Sequence, residues 1–252
     1  MTYVKTVYYS DKGKVRQLNE DSAGVFVNGH GDYLAVVADG MGGHRAGDVA
    51  SQLTISFLDE RWGKTEKFHT ADEAENWLRS TIADVNHEVF TYAQSHSDCE
   101  GMGTTLVGAI CTSLFATVVN VGDSRGYILN ENGFHQLTED HTLVNELVRS
   151  GEITKEDAEH HPRKNVILRA IGTEETISMD IKTIMFEEED VLLLCSDGLS
   201  NKVSEREMQR ILVEDHPLSD KGEALVDRAN EYGGEDNITV VIVEYAAATE
   251  SG

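Results

Sequence analysis

Strand-like and helical stretches come in groups along this chain, and that order restricts its fold more than any other feature. Residues 4–10, 33–38, 104–112, 115–121, 125–130, 177–186, 191–196 and 237–245 are apolar and β-branched. Most either alternate or are continuously apolar, as strands do. Helical periodicity runs over 46–62, 72–96, 142–150, 204–213 and 220–232. In the second of these, Ala74, Trp77, Leu78, Ile82, Val85, Val89 and Tyr92 form one apolar stripe. The fourth opens on Ser204 with Glu207 three residues on, the pattern of a capping box. A doubly wound parallel sheet needs strict strand–helix alternation, which is absent. The order predicts an α+β fold of mostly antiparallel sheets with helices packed outside. With only two prolines and no repeat or linker, residues 1–252 are expected to form one domain. Segment 141–172 carries Pro162 and clusters of Glu, His and Lys, and reads as a helical flap over one end of the sheets. An ordinary surface connection accounts for its pattern equally well.

The net charge of −24 disfavours nucleic acid and anionic membrane surfaces as partners. No apolar run is long enough to span a bilayer, and the first residues lack the core of a signal peptide. Cys99, Cys111 and Cys195 are too few and too scattered for a disulfide framework or a structural zinc site. Cys111 and Cys195 lie in apolar runs and read as small buried hydrophobes. The expected location is the cytoplasm. So acidic a chain can approach an anionic substrate only if something local reverses the field, and cations held by clustered carboxylates would do so.

Four aspartates share a local pattern. Asp39, Asp123 and Asp197 each follow an apolar run, Asp236 precedes one, and each has glycine or another small residue nearby. A strand end fixes a carboxylate in space, and glycine lets a backbone oxygen come close. If such carboxylates converge they repel one another unless hard cations such as Mg²⁺ or Mn²⁺ sit among them. Two such ions can activate a bridging water and clamp a phosphoryl group. Turn chemistry explains any single Asp-Gly, and position along the chain does not establish convergence. A second cluster, Asp11-x-Gly13-x-x-Arg16-x-x-Asn19-Glu20-Asp21, combines a guanidinium suited to phosphate with several oxygen donors. On spacing alone it also reads as a solvated polar turn.

Taken in order, these stretches resemble the metal-dependent serine/threonine protein phosphatases of the PPM, or type 2C, family, in its compact bacterial branch. The resemblance rests on the 11–21 cluster and on Val37-Ala-Asp39-Gly40-Met41-Gly42-Gly43-His44-x-Ala46-Gly47. It continues through Gly101-Met-Gly-Thr104-Thr105, Asn120-Val-Gly122-Asp123-Ser124-Arg125, Ser196-Asp197-Gly198-Leu199 and Gly234-Glu-Asp236-Asn237-Ile238-Thr239. It spans residues 11–240.

The resemblance implies a four-layer α-β-β-α sandwich, with two sheets face to face and helices outside. It implies two core Mn²⁺ or Mg²⁺ ions bridged by Asp39. The Gly40 carbonyl would complete one site and Asp197 with Asp236 the other. A third ion, frequent in bacterial members, would fall to Asp123 with Asp197. Glu20 and Asp21 would hold metal waters, Asn237 would support the site, and Arg16 would grip the phosphate. The implied reaction is hydrolysis of phosphoserine and phosphothreonine in proteins, by in-line attack of a metal-bridging hydroxide and without a phosphoenzyme. Many eukaryotic relatives have a histidine general acid where this chain has Met41. Methionine donates no proton, so a metal-bound water is expected to protonate the leaving alkoxide, with His44 as the alternative. The implied partners are phosphorylated proteins and, as functional counterpart, a serine/threonine kinase, with the phosphatase acting as a monomer. The rival readings are a catalytically inactive phosphoprotein-binding homologue and a metal-dependent phosphoesterase on small phosphoesters. A strand start accounts for Thr104 and Thr105, with hydroxyl bonds near the site as the alternative. Residues 160–164 are a basic spot that reads as a solvated loop, with contact to phosphopeptides as the alternative; 187–190 reads as a solvated turn, and Trp62 and Trp77 as core or helix-packing residues.

Overall fold

The computed structural model describes residues 3–43 and 46–246. The described residues form eleven strands: β1 (Tyr3–Asp11), β2 (Asp21–Val27), β3 (Tyr33–Met41), β4 (Gly103–Thr104), β5 (Leu106–Cys111), β6 (Phe115–Val121), β7 (Arg125–Asn130), β8 (Gly133–Gln136), β9 (Asp180–Met185), β10 (Val191–Cys195) and β11 (Ile238–Ala246). The helices are α1 (Ala46–Trp62), α2 (Ala71–Ser95), α3 (Leu143–Arg149), α4 (Lys155–Glu159), α5 (Asp197–Ser200), α6 (Glu205–Val213) and α7 (Leu218–Glu231). One sheet has the order β1-β11-β10-β7-β8; the other runs β2-β3-β5-β6-β9, with β4 beside β3. Every paired neighbour is antiparallel.

The two-residue period of a strand explains why the central runs are apolar throughout. In β3, Leu34 and Val36 join the core under α1 and α2, while Ala35 and Val37 face the other sheet. In β10, Leu192 and Leu194 enter the same inter-sheet core, while Leu193 and Cys195 pack beneath α6 and α7. The layers are therefore helices, sheet, sheet, helices, as the resemblance implied. Trp62 is fully buried, stacked on Phe68 with centroids 5.6 Å apart and edge-on to Trp77 at 5.2 Å. All three cysteines are free and buried, and burial pushes the Cys111 and Cys195 thiols up to about 12.

Some local expectations change. Ser204 is the N-cap residue of α6 but makes no side-chain cap bond. Glu207, its expected partner, instead accepts from the Tyr232 hydroxyl at 3.0 Å and pairs with Arg228 at 3.3 Å. Capping boxes are found instead at α2, between Thr70 and Glu73, and at α4, between Thr154 and Asp157. The strand expected from 177 begins at Asp180. The turn expected at 187–190 is present, but Asp190 is buried and accepts the Glu187 N–H at 2.9 Å.

Topology brings several strand ends together. β3 ends where β2 begins, since Asp39 lies opposite Asp21. The end of β6 meets the start of β5 at the same edge, through Val121 opposite Leu106. In the other sheet, β10 ends beside the starts of β7 and β11. The chain crosses between sheets through residues 122–124, and Ser196 of one sheet donates to Asp21 of the other at 2.8 Å. One end of the sandwich thus collects carboxylates from both sheets.

Candidate metal centre

Asp39 lies near the end of β3 and is held there through its backbone. Its N–H donates to Thr105 Oγ1 at 3.0 Å, and its carbonyl accepts from the Thr105 N–H at 2.8 Å and Thr104 Oγ1 at 2.9 Å. Thr105 Oγ1 in turn bonds Ser124 Oγ at 2.7 Å. The threonines therefore do more than begin a strand: they set the height of Asp39. Gly40 donates to the Glu20 carbonyl at 3.1 Å. A Cβ there would collide with the carbonyl oxygens of Gly47 and Glu20, so only glycine permits this approach.

The remaining carboxylates gather around Asp39. Burial, then Asp21, Asp197, Asp123 and Asp236, push its carboxyl well above the usual carboxylate range. Asp197, first residue of α5, is raised by burial and Asp236, while a hydrogen bond with Asp39 pulls it back. Asp123 is pushed up to about 7 by burial, Asp197 and Asp140. Asp21 also reaches about 7, mainly through burial, although Thr239 and Ser196 donate to it. Glu20 is raised by burial and drawn back by Arg16. A cluster of this kind is strained when it holds no cation.

Asn237 ties the N-terminal loop to this end. Its Oδ1 accepts the Glu20 N–H at 2.8 Å, and its Nδ2 donates to the Lys12 and Leu18 carbonyls at 2.9 Å each. Arg16, carried on that loop, places Nη2 2.7 Å from Asp236 Oδ2. The guanidinium thus brings positive charge to the cluster, as Arg125 does beside Asp123 and Asp197, and in this arrangement it faces a carboxylate where phosphate was expected. Its side chain is half exposed, so it is free to turn outward. His44 lies outside the described residues.

The donor set suits a hard divalent cation. It consists of carboxylate and carbonyl oxygens, with no thiolate or imidazole among the described members. Glu20 Oε1 and Asp21 Oδ1 are buried without a hydrogen-bond partner. Among the described residues no three carboxylate, imidazole or thiol groups already stand as a closed ligand set. In the present side-chain positions Arg16 is paired with Asp236 and Asp39 is hydrogen-bonded to Asp197.

Sequence reasoning gave Ser196 no role, yet it joins Asp21 to β11, donating to Asp21 and accepting the Thr239 N–H at 3.0 Å. A hydroxyl directly before Asp197 was the available signal. Segment 141–172, containing α3 and α4, lies beside Asp123 and Asp197 across a cavity of about 580 Å³ that Lys155, His160 and Lys164 help to line.

Comparison with known proteins agrees with this geometry. The protein phosphatase 2C family model matches residues 12–240. The serine/threonine phosphatase Stp of Listeria monocytogenes is 52% identical over 237 residues, covering 94% of each chain. The protein phosphatase PhpP of Streptococcus pneumoniae is 41% identical over 234 residues, 93% of this chain and 94% of the other. The crystal structure of Stp1 from Staphylococcus aureus superposes with a TM-score of 0.91 at 38% identity, covering 98% of this chain and 96% of that one. The catalytic domain of PstP, solved with two manganese ions, gives a TM-score of 0.84 at 33% identity, covering 98% and 100%.

Proposed function

The chain belongs to the protein phosphatase 2C family, and from that premise we propose that it hydrolyses phosphoserine and phosphothreonine in proteins with the help of divalent metal ions. The gathering of Asp39, Asp123, Asp197 and Asp236 at one end of the sandwich carries this reading. Asp39 would bridge two Mn²⁺ or Mg²⁺ ions, with the Gly40 carbonyl on one side and Asp197 and Asp236 on the other. A third would take Asp123 with Asp197, and Glu20 and Asp21 would accept hydrogen bonds at the rim. When bound, the ions supply Lewis-acid activation of water and neutralise phosphoryl charge.

The chain's own groups do the rest. Arg16 leaves Asp236 and turns its two-pronged guanidinium onto phosphate oxygens, where negative charge is concentrated in the transition state. Asn237 holds the loop that carries Arg16 and Glu20. Thr104, Thr105 and Ser196 keep Asp39 and Asp21 from shifting as charge moves. Met41 has no proton to give, so the leaving alkoxide is protonated by water in the cleft. His44→Ala tests this through the pH profile of kcat: losing the limb that reports leaving-group protonation would transfer that role to His44.

Residues 1–252 act as one phosphatase domain, with 141–172 as a flap beside the cleft. Bound cations make the cleft attractive to phosphate although the whole chain is acidic. A serine/threonine kinase is the functional counterpart, and the enzyme works as a monomer in the cytoplasm. No helix among the described residues is long and apolar enough to cross a membrane. Phosphate release from a phosphothreonine peptide tests the proposal. Release is expected with Mn²⁺, and is lost with a chelator or in Asp39→Asn. An absence of metal-dependent release would leave a binding protein, and release only from small phosphoesters would leave the phosphoesterase reading.

A further inference from the structure

The loop at 122–124 joins the two sheets and carries Asp123, and its anchoring comes from outside the carboxylate cluster. Gly122 has φ of +107°, and a Cβ there would stand 2.6 Å from Thr105 Cγ2, so this peptide is confined. Both of its polar groups go to one residue. The Gly122 N–H donates to His141 Nδ1 at 3.1 Å, and the Gly122 carbonyl accepts the His141 N–H at 2.9 Å. Asn120 Nδ2 adds a second donor to that carbonyl at 3.2 Å.

The chemistry of His141 follows from these contacts. A backbone N–H can only donate, so Nδ1 is the acceptor and the neutral ring carries its proton on Nε2. Nε2 then donates to Asp180 Oδ2 at 3.1 Å. Arg169 Nη1 lies 3.1 Å from Asp180 Oδ1 and equally close to Nε2. Two donors cannot bond each other, so guanidinium and imidazole meet by sharing the Asp180 carboxylate. Burial, together with the nearby Arg169, holds the imidazole pKa below its usual range despite Asp180. The His141 carbonyl accepts the Leu168 N–H at 2.8 Å, so the same residue also pins the returning arm of segment 141–172.

We propose that His141 is a positioning residue for Asp123, tying the Gly122 peptide to the returning arm of segment 141–172 through Asp180 and Arg169. The proposal rests on the reading of Asp123 as ligand of a further divalent ion. His141 touches neither that ion nor the substrate; it fixes the peptide from which the carboxylate hangs. Partners of this kind commonly change metal affinity about tenfold to a hundredfold when removed.

Mn²⁺ titration calorimetry on the full chain tests it. Asp123→Asn identifies the binding step that depends on Asp123. His141→Leu, which keeps bulk but removes both ring contacts, is expected to weaken that step by about tenfold or more and leave tighter steps unchanged. His141→Asn, which puts an oxygen acceptor near the place of Nδ1, is expected to recover part of the loss. The double variant Asp123→Asn/His141→Leu should match Asp123→Asn alone, because both act on one site. If His141→Leu does not fold, Asp180→Asn, at a half-exposed position, is read by the same criterion. An unchanged Asp123-dependent step overturns the proposal, as does equal weakening of every step with no recovery in His141→Asn. If Asp123→Asn removes no step, the further ion itself is refuted and the proposal falls with it.

Discussion

Replacing Asn237 by alanine should loosen the N-terminal loop and the metal centre together. The amide makes three side-chain bonds: it accepts from the Glu20 N–H and donates to the Lys12 and Leu18 carbonyls. Asn237 is 4% exposed, whereas Lys12 and Leu18 are exposed. Their carbonyls can find water in the variant, so each loss is worth about 0.5 kcal/mol, the low end for a net hydrogen bond. The Glu20 N–H is partly buried, and leaving it unpaired costs about 1–2 kcal/mol. The expected destabilisation is therefore about 2–3 kcal/mol, equivalent to about 4–12 °C in Tm for a chain of this size. Urea denaturation and calorimetric melting would measure it, with and without Mn²⁺. If the loop opens locally instead, Mn²⁺ affinity and kcat/KM should fall while the melting of the sheets changes little. A variant that melts within about 1 °C of the parent and binds Mn²⁺ equally well would refute the reasoning.

Asp21 and Asp123 sit near 7 in the folded protein against an ordinary value of 3.8. Between those values the folded state keeps protons that the unfolded chain has shed, so metal-free stability falls as pH rises through that window. Melting scans should therefore show the metal-free protein gaining stability from about pH 7.5 down to about pH 5.5, partly offset by His141 below its ordinary range, and Mn²⁺ should reverse the trend. Asp39→Asn should abolish phosphatase activity while stabilising the metal-free protein as pH rises, because it replaces a carboxyl that burial and neighbouring acids resist ionising with a group that never carries charge; phosphate release reads the first effect and denaturation across pH the second. Ser196→Ala should cost about 2–4 kcal/mol in urea denaturation, because the buried Asp21 carboxylate and Thr239 N–H both lose a partner.

Much of the architecture was legible because the central strands are covered on both faces. A strand such as β10 cannot be other than apolar when one face meets the second sheet and the other meets helices. The bounds of α1 were readable as Ala46–Trp62 for a related reason, since one side of the helix must follow the sheet beneath it. β2 was missed because only Asp21 and Gly24 are buried in it, and its small residues give no alternation. The short helix α5 was read as the tip of a strand, since four residues carry no helical period. The false capping box at Ser204 shows a local motif losing to a tertiary contact, because Tyr232 and Arg228 claim Glu207. The acidic residues were legible as types, but their meeting depends on register and on how one sheet lies over the other. Neither is written in spacing along the chain. His141 had no signal of its own, because Gly122, Asp180 and Arg169 reach it from separate parts of the sequence.

Crystals grown with Mn²⁺ and measured near the manganese absorption edge would address the central claim most directly. The account predicts two strong anomalous peaks that share Asp39, one also touching Asp197 and Asp236, with Arg16 released from Asp236. No pair of peaks sharing Asp39, or an Arg16–Asp236 pair left intact at saturating Mn²⁺ with no density among these carboxylates, would contradict it; an additional peak at Asp123 and Asp197 would be the further ion.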